Sequence, residues 1–247
     1  MAGNLQQRDP AVEHFGEMMR PGKYGHRLTR EMYAVVNKRP SVRMPEYMLT
    51  DELRAYLAPR YEDEDLTILS DDFCRQQRED ALENFDLNMA FFSQIAEAPF
   101  EDALTELMRK NNRLRPVTNL AAYDGDEGVY VMVLDGYRQA YIGQTSDIRR
   151  RIKAHWAGTK QFDRLIWGDV EDSVLSIDSF RALDTTRLFA ARTINPDSLE
   201  TRLVKTFPPD YLLNRIDGGA VIGLRGMFLA AEMKRRKLRA DAGVPGS

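Results

Sequence analysis

One segment, residues 128 to 143 with the sequence GVYVMVLDGYRQAYIG, limits most strongly what this chain of 247 residues can fold into. Apolar side chains occupy both alternating sets of positions from 128 to 134, which predicts a β-strand that is apolar on both faces. Asp135-Gly136 is a signal for a hairpin turn. The chain is therefore expected to return in a second strand over residues 139 to 142.

The region after this hairpin predicts a small mixed domain. A first helix is expected to begin near Ser146 or Asp147, because either side chain can cap it. Apolar runs and a two-proline stop predict the remaining elements, which are strands at 174–177 and 187–193 and a helix from 197 or 198 to 207. The predicted fold class is α+β, with an antiparallel sheet flanked by helices.

The first half of the chain has the pattern of helices joined by short turns. Helices are predicted at residues 11–19, 30–37, 51–57, 72–96 and 101–111. A short stretch at 66–69 is a weak candidate for a strand. The region 111–128 is rich in Asn, Gly, Asp and Pro, which favours a domain boundary. The predicted parts are a helical N-terminal domain (1–118), a linker (119–127), a second domain (128–220) and a basic C-terminal helix or tail (221–247).

Composition favours a cytoplasmic protein without a membrane role. No apolar run approaches the roughly 18 residues that a membrane-spanning helix needs. The N-terminal residues lack the basic start and apolar core of a signal peptide. The single cysteine, Cys74, cannot form an internal disulfide. We therefore expect a cytoplasmic location.

Charge is distributed unevenly between the two halves. Residues 1–120 hold 16 Lys and Arg against 21 Asp and Glu, whereas residues 121–247 hold 19 against 17, so the halves carry net charges of −5 and +2. Basic residues cluster at 149–160 and at 233–239. Such clusters suit a polyanion, because Lys and Arg displace counterions from phosphates. Two solvated helix faces explain the same clusters equally well.

Three polar residues fall on helix faces that should be apolar. Ile148 and Ile152 define the apolar stripe of the first helix, and projection at 100° per residue places Arg151 and His155 at its edge. Glu200 projects from the apolar face of the second helix. A buried carboxylate needs a partner. An internal ion pair between Glu200 and Arg151, a Glu200 that reaches solvent at the domain edge, and a functional site where these residues converge all remain open.

Six elements in a fixed order and spacing carry a family resemblance. They are Gly128-Val129-Tyr130, Tyr141-Ile142-Gly143, Arg151, His155, Glu200 and Asn214. This order resembles that of the GIY-YIG endonucleases, over residues 128 to about 216. Val129 in place of isoleucine preserves the apolar strand position. The stretch from 162 to 186 is longer than in compact members of the family, and we expect an insertion there that touches substrate.

The resemblance implies a metal-dependent phosphodiesterase. Glu200 would bind a single divalent metal, Mg²⁺ or Mn²⁺, which a hard carboxylate suits. Arg151 would offer a fork of donors to phosphate oxygens, a geometry that lysine cannot copy.

The resemblance also implies how protons move. Tyr130 would be the general base, although a phenol is almost wholly protonated at neutral pH. Tyr141 would help to activate it, and His155 would orient Tyr130 or accept its proton. Asn214 would fix the helix of Glu200 through hydrogen bonds, and Gly143 would permit a close backbone approach.

DNA is the expected substrate. Gly143, Lys153, Lys160 and Arg215 are the predicted DNA contacts, and backbone contacts of this kind position a protein without reading sequence. The sequence thus predicts a DNA endonuclease of a restriction, repair or defence system. One alternative is a catalytically inactive fold of this type that binds nucleic acid or protein. Another is an adaptor whose N-terminal helical domain binds a protein partner or a second copy of the chain.

Overall fold

The computed structural model describes residues 10–21, 25–39, 46–157 and 170–214. These residues form helices and antiparallel sheets, which confirms the predicted α+β class. Within the same ranges, no helix combines the length and the apolar character required to cross a bilayer. The residues predicted as a basic C-terminal helix or tail lie outside the described ranges.

Six α-helices occur in the described ranges, and most correspond to a predicted helix. In chain order they are α1 (Arg30–Tyr33), α2 (Asp51–Leu57), α3 (Asp71–Gln94), α4 (Glu97–Lys110), α5 (Ile148–Ala157) and α6 (Pro196–Thr206). The bounds of α2 match the prediction, and Thr50 caps it by accepting a hydrogen bond from the amide of Leu53. Helix α1 is shorter than predicted, since it ends at Tyr33 rather than near residue 37.

Six strands form two antiparallel sheets. They are β1 (Val12–His14), β2 (Glu17–Met19), β3 (Arg115–Pro116), β4 (Gly128–Leu134), β5 (Gln139–Thr145) and β6 (Arg187–Arg192). Strands β1 and β2 pair with each other, and the larger sheet has the order β3-β6-β4-β5. The predicted hairpin is confirmed as β4 and β5, and the predicted strand at 187–193 is confirmed as β6.

Two predicted elements are wrong. Residues 11–19 form the hairpin of β1 and β2 instead of a helix, because Phe15 and Gly16 adopt positive φ values of 48° and 74° that turn the chain back. Residues 174–177 do not form a strand: the amide of Leu175 donates to a side-chain oxygen of Asn88, and a 3₁₀ turn follows at Ile177–Ser179. At 66–69 the described chain has only an isolated bridge between Tyr61 and Leu69.

Strand β4 separates two hydrophobic clusters, since all seven of its residues are buried. Val129, Val131 and Val133 pack with apolar residues of α4 and α6. Tyr130 and Met132 pack on the opposite face with residues of α1, α3 and α5. Helices from both sides of the predicted domain boundary therefore share a core with the sheet. Strand β3 precedes the predicted linker and pairs with β6.

Gly128 is required by the pairing of β4 with β6. A Cβ atom at this position would collide with the backbone carbonyl of Ala191. The obstacle is main chain of a central strand pair, which cannot rotate away as a flexible side chain could. The first glycine of the sequence signature therefore has a packing role in the sheet.

Candidate active site

A chain of hydrogen bonds links three buried side chains beside the sheet. The hydroxyl oxygen of Tyr130 lies 2.7 Å from Nε2 of His155, and Nδ1 of the same imidazole lies 2.6 Å from Oδ1 of Asp178. Tyr130 is 0% exposed, His155 is 1% exposed and Asp178 is 6% exposed. Such distances are typical of good hydrogen bonds. The structure thus brings the predicted Tyr130 and His155 together and adds an aspartate that the sequence interpretation missed.

Asp178 could not be identified from sequence patterns. It lies in the 3₁₀ turn at Ile177–Ser179, directly after the residues 174–177 for which the sequence predicts a strand. The turn begins where the hydroxyl of Ser176 accepts a hydrogen bond from the amide of Asp178.

Burial changes the acidity of both phenols of the site. It raises the pKa of Tyr130 well above 10, an effect to which the neighbouring Tyr141 adds and which the guanidinium of Arg151 opposes. Burial also raises the pKa of Tyr141 to about 12, and Arg151 again opposes the rise. Both phenols are therefore protonated at neutral pH, so Tyr130 can accept a proton only if it passes its own to a neighbour.

Gly143 provides the space in which the phenol of Tyr130 lies. The two residues are cross-strand partners in the β4–β5 pair. A Cβ atom on Gly143 would lie 2.5 Å from the hydroxyl oxygen of Tyr130 and 2.6 Å from its Cζ atom. Gly143 therefore makes room for the side chain of Tyr130, whereas the sequence predicts that it permits a close approach of backbone.

Three consecutive arginines of α5 have different environments. Arg149 forms ion pairs with Glu17 at 2.6 Å and Asp124 at 3.2 Å, and the side chain of Arg150 is 74% exposed. Arg151 is half-buried and interacts with the phenols of Tyr130 and Tyr141. Within the described ranges, no carboxylate lies within 4 Å of its guanidinium. Arg151 is thus a cation directed at the site, as the helical projection predicted.

Glu200 is a buried carboxylate whose hydrogen bonding is incomplete. It is 5% exposed on α6, and its Oε2 atom has no hydrogen-bond partner among the described residues. Burial raises the pKa of Glu200 to about 7, and the charge of Asp197 adds to the rise, while Gln144 and Arg151 oppose it. The alternative of an internal ion pair is not supported, since no ion pair joins Glu200 to Arg151 in the described part of the chain.

The chemistry of the Glu200 carboxylate is compatible with a divalent cation. Among the described residues, no group of three His, Cys, Asp or Glu side chains is arranged to hold a metal ion. The buried Oε2 atom of Glu200, which has no donor among the described residues, is, however, a ligand of the type that Mg²⁺ and Mn²⁺ take, together with water and substrate oxygens.

Asn214 contacts the edge strand instead of the helix of Glu200. Its Nδ2 atom donates to the carbonyl of Ile142 at 2.7 Å, and its Oδ1 atom accepts from the amide of Ile142 at 3.1 Å. The prediction that it fixes the helix of Glu200 is wrong, because both ends of its amide are occupied by β5. Asn214 instead completes the hydrogen bonding of that strand next to the signature residues Tyr141 and Gly143.

Replacement of Asn214 by alanine is expected to lower the free energy of unfolding by about 2 kcal/mol, because it leaves one buried N–H and one C=O of Ile142 without partners. Urea denaturation monitored by tryptophan fluorescence would measure this loss. Asn195→Ala is the control, since Asn195 is exposed and makes no side-chain cap to α6. Equal stability of the two variants would contradict the assigned role.

The predicted DNA contacts are only partly described. Lys153 forms an ion pair with Glu17 at 2.7 Å, and the same carboxylate also binds Arg149. Its ammonium group therefore already has a carboxylate partner within the protein, which it shares with Arg149. Lys160 and Arg215 lie outside the described residues, and so does the basic cluster at 233–239.

Comparisons of the chain with models of protein families, with curated proteins and with solved structures gave no match.

Proposed function

We propose that this protein is a metal-dependent DNA endonuclease of the GIY-YIG type. The observation that carries the proposal is a pair of side chains on two helices that contact the hairpin β4–β5. Among the described residues, Oε2 of the buried Glu200 has no hydrogen-bond partner and the guanidinium of Arg151 has no carboxylate within 4 Å. The residues of the family resemblance support it, because Tyr130, Tyr141, Arg151, His155 and Glu200 influence one another in hydrogen bonding or charge.

In this proposal Arg151 binds the scissile phosphate. A guanidinium presents its N–H groups in a fixed plane that matches two phosphate oxygens, and its charge offsets the charge that grows in the transition state. Among the described residues, no carboxylate lies within 4 Å of the Arg151 guanidinium, so this cation is available to bind the phosphate. Its partial burial strengthens the interaction relative to one in water.

Tyr130 and His155 move the proton of the attacking water. As the water oxygen bonds to phosphorus, its proton passes to the Tyr130 oxygen while the phenol proton passes to Nε2 of His155. The ester P–O bond breaks, its electron pair stays on the leaving oxygen, and that oxygen takes a proton from solvent. The raised pKa of Tyr130 makes this concerted exchange more favourable than formation of a free phenolate.

Glu200 would hold the divalent metal, which supplies charge stabilisation to the phosphate oxygens when bound. Among the described residues, one oxygen of this carboxylate has no hydrogen-bond partner, and the charge of Arg151 acts on it. A metal at this position would hold Glu200 in its ionised form, although burial favours the neutral acid.

One observation favours the alternative of an inactive module that binds nucleic acid or protein. Tyr130 is fully buried and His155 is 1% exposed, so water does not touch the proposed base in this conformation. Tyr141 is the phenol with partial exposure. The enzyme proposal therefore requires that bound substrate or metal opens a path past Tyr141 to the hydroxyl of Tyr130.

Nicking of supercoiled plasmid with Mg²⁺, with Mn²⁺ and with chelator tests the proposal. Wild-type protein is expected to cut only with metal. Arg151→Ala should reduce the rate about 100-fold, the loss typical of one transition-state donor. Arg150→Ala, which removes the same charge from an exposed position of the same helix, should stay within about threefold of wild type. Metal-independent cutting, or equal losses in both variants, would contradict the assignment.

A further inference from the structure

We propose that Asp178 is a positioning residue that fixes the proton of His155 on Nδ1, so that Nε2 is unprotonated and accepts the proton of Tyr130. This inference rests on the proposed function and adds to it a third member of the proton path. None of the residues in the family resemblance occupies this position. Only the structure brings the aspartate to the histidine.

The two contacts of the imidazole determine which nitrogen carries its proton. A neutral imidazole has one N–H and one acceptor nitrogen, whereas a carboxylate only accepts. Oδ1 of Asp178 lies 2.6 Å from Nδ1, so Nδ1 is the donor of that pair. Nε2 is then an acceptor, and the Tyr130 hydroxyl at 2.7 Å is its donor. This direction, from phenol to imidazole, is the one that the proposed proton transfer needs.

The charged and titratable groups around the imidazole come from several elements. Tyr130 of β4 contacts Nε2, and the ring of Tyr141 of β5 lies edge-on at 5.2 Å between centroids. Arg151 lies one turn earlier on the same helix, and its charge acts on both phenols and on Asp178. Arg181, close in sequence to Asp178, is buried and donates to the carbonyl of Trp156. Among the described residues, Asp178 supplies the carboxylate that lies within 4 Å of the His155 imidazole.

Asp178 also stabilises the product of the proton transfer. When Nε2 takes the phenol proton, the imidazole becomes a cation, and the carboxylate at Nδ1 forms an ion pair with it. No proton moves to Asp178 in this step, so its role is orientation and charge balance. The removal of that carboxylate would favour the tautomer with the proton on Nε2, which cannot accept from Tyr130.

Nuclear magnetic resonance of protein labelled with ¹⁵N in its histidines tests the inference without any activity assay. The ¹⁵N signals of His155 are assigned by their disappearance in His155→Gln. Their one-bond couplings to hydrogen report which ring nitrogen carries the proton. Wild-type protein at neutral pH is expected to carry it on Nδ1, and Asp178→Asn is expected to move it to Nε2. A proton on Nε2 in the wild type, or no change in Asp178→Asn, would overturn the inference.

The matched control is Asp184→Asn, which removes another buried carboxylate. Asp184 accepts from Tyr137 at 3.2 Å and from the amide of Leu28 at 2.7 Å, and no histidine is among its contacts in the described ranges. It should leave the tautomer of His155 unchanged. A change in Asp184→Asn equal to that in Asp178→Asn would show a general loss of packing and would overturn the specific role.

The consequence for cleavage is a separate readout. Asp178→Asn is expected to lower kcat about 10- to 100-fold, the range seen when a supporting partner of a site histidine is removed, with KM unchanged. If wild type cuts plasmid and Asp178→Asn cuts as fast, the positioning role is overturned while the nuclease proposal stands. If wild type does not cut at all, the nuclease proposal fails, and the tautomer experiment still decides whether Asp178 orients His155.

Discussion

Replacement of Glu200 by glutamine is expected to abolish metal-dependent cleavage and to leave duplex binding within about threefold of wild type. Glutamine keeps the shape of the side chain but loses the charge that a hard divalent cation requires. Because the proposed metal stabilises charge that develops during the reaction, its loss should affect kcat and not the affinity of the ground state. Plasmid nicking and fluorescence anisotropy with a labelled duplex would measure the two quantities on the same preparation.

The same substitution should change stability in a pH-dependent way. Burial raises the pKa of Glu200 from 4.5 to about 7, so between these values the folded state holds a proton that the unfolded state has lost. The free energy of unfolding therefore falls as pH rises through this window, by about 3 kcal/mol at most. Glu200→Gln removes this penalty, and we expect it to be more stable than wild type at pH 8 in chelator, with little difference at pH 4.5.

Addition of metal should largely cancel that difference. An ion that binds the native carboxylate stabilises wild type by about 2.7 kcal/mol when its concentration is 100 times the dissociation constant. Added Mg²⁺ or Mn²⁺ should therefore raise the Tm of wild type and leave the Tm of Glu200→Gln unchanged. Thermal unfolding with and without metal would measure both values. Glu106→Gln is the control, since Glu106 lies on α4 in a surface pair with Arg109. Equal metal-induced shifts in Tm for Glu200→Gln and wild type would contradict a metal at this residue.

The parts of the site that could be predicted from sequence are those set by local periodicity. The edge position of Arg151 and His155 on α5 follows from the stripe of Ile148 and Ile152, and both side chains lean towards the sheet. The burial of Glu200 follows from the apolar face of α6 in the same way. In each case the helix itself fixes the direction of the side chain.

The contacts that could not be predicted join distant segments without regular structure. Asp178 reaches His155 from a 3₁₀ turn, and Asn214 reaches β5 after the end of α6, so no helical or strand period positions either one. Glu17 binds Arg149 and Lys153 because residues 11–19 fold as a hairpin, an outcome that depends on the positive φ values of Phe15 and Gly16. A pattern of apolar residues carries no information on such turns, whereas turn chemistry does.

Replacement of Tyr130 by phenylalanine is expected to lower kcat for cleavage by 10² to 10⁴, the range for loss of a general base, without loss of the fold. The substitution removes one oxygen from a ring whose remaining atoms keep their packing over Gly143. It also leaves Nε2 of His155 without its hydrogen-bond donor, which costs about 1 kcal/mol or more of stability. Single-turnover cleavage with excess enzyme would measure the chemical step, and circular dichroism would check the fold.

Tyr33→Phe is the matched control, because Tyr33 is also a buried tyrosine whose hydroxyl bonds to a polar side chain, Asn84, at 2.7 Å. It should lose a similar amount of stability and retain cleavage. The double variant Tyr130→Phe with His155→Gln should be no slower than the slower single variant, since residues that act in one proton path give non-additive losses. Losses that multiply would mean that Tyr130 and His155 act independently, and the path from phenol to imidazole would then be wrong.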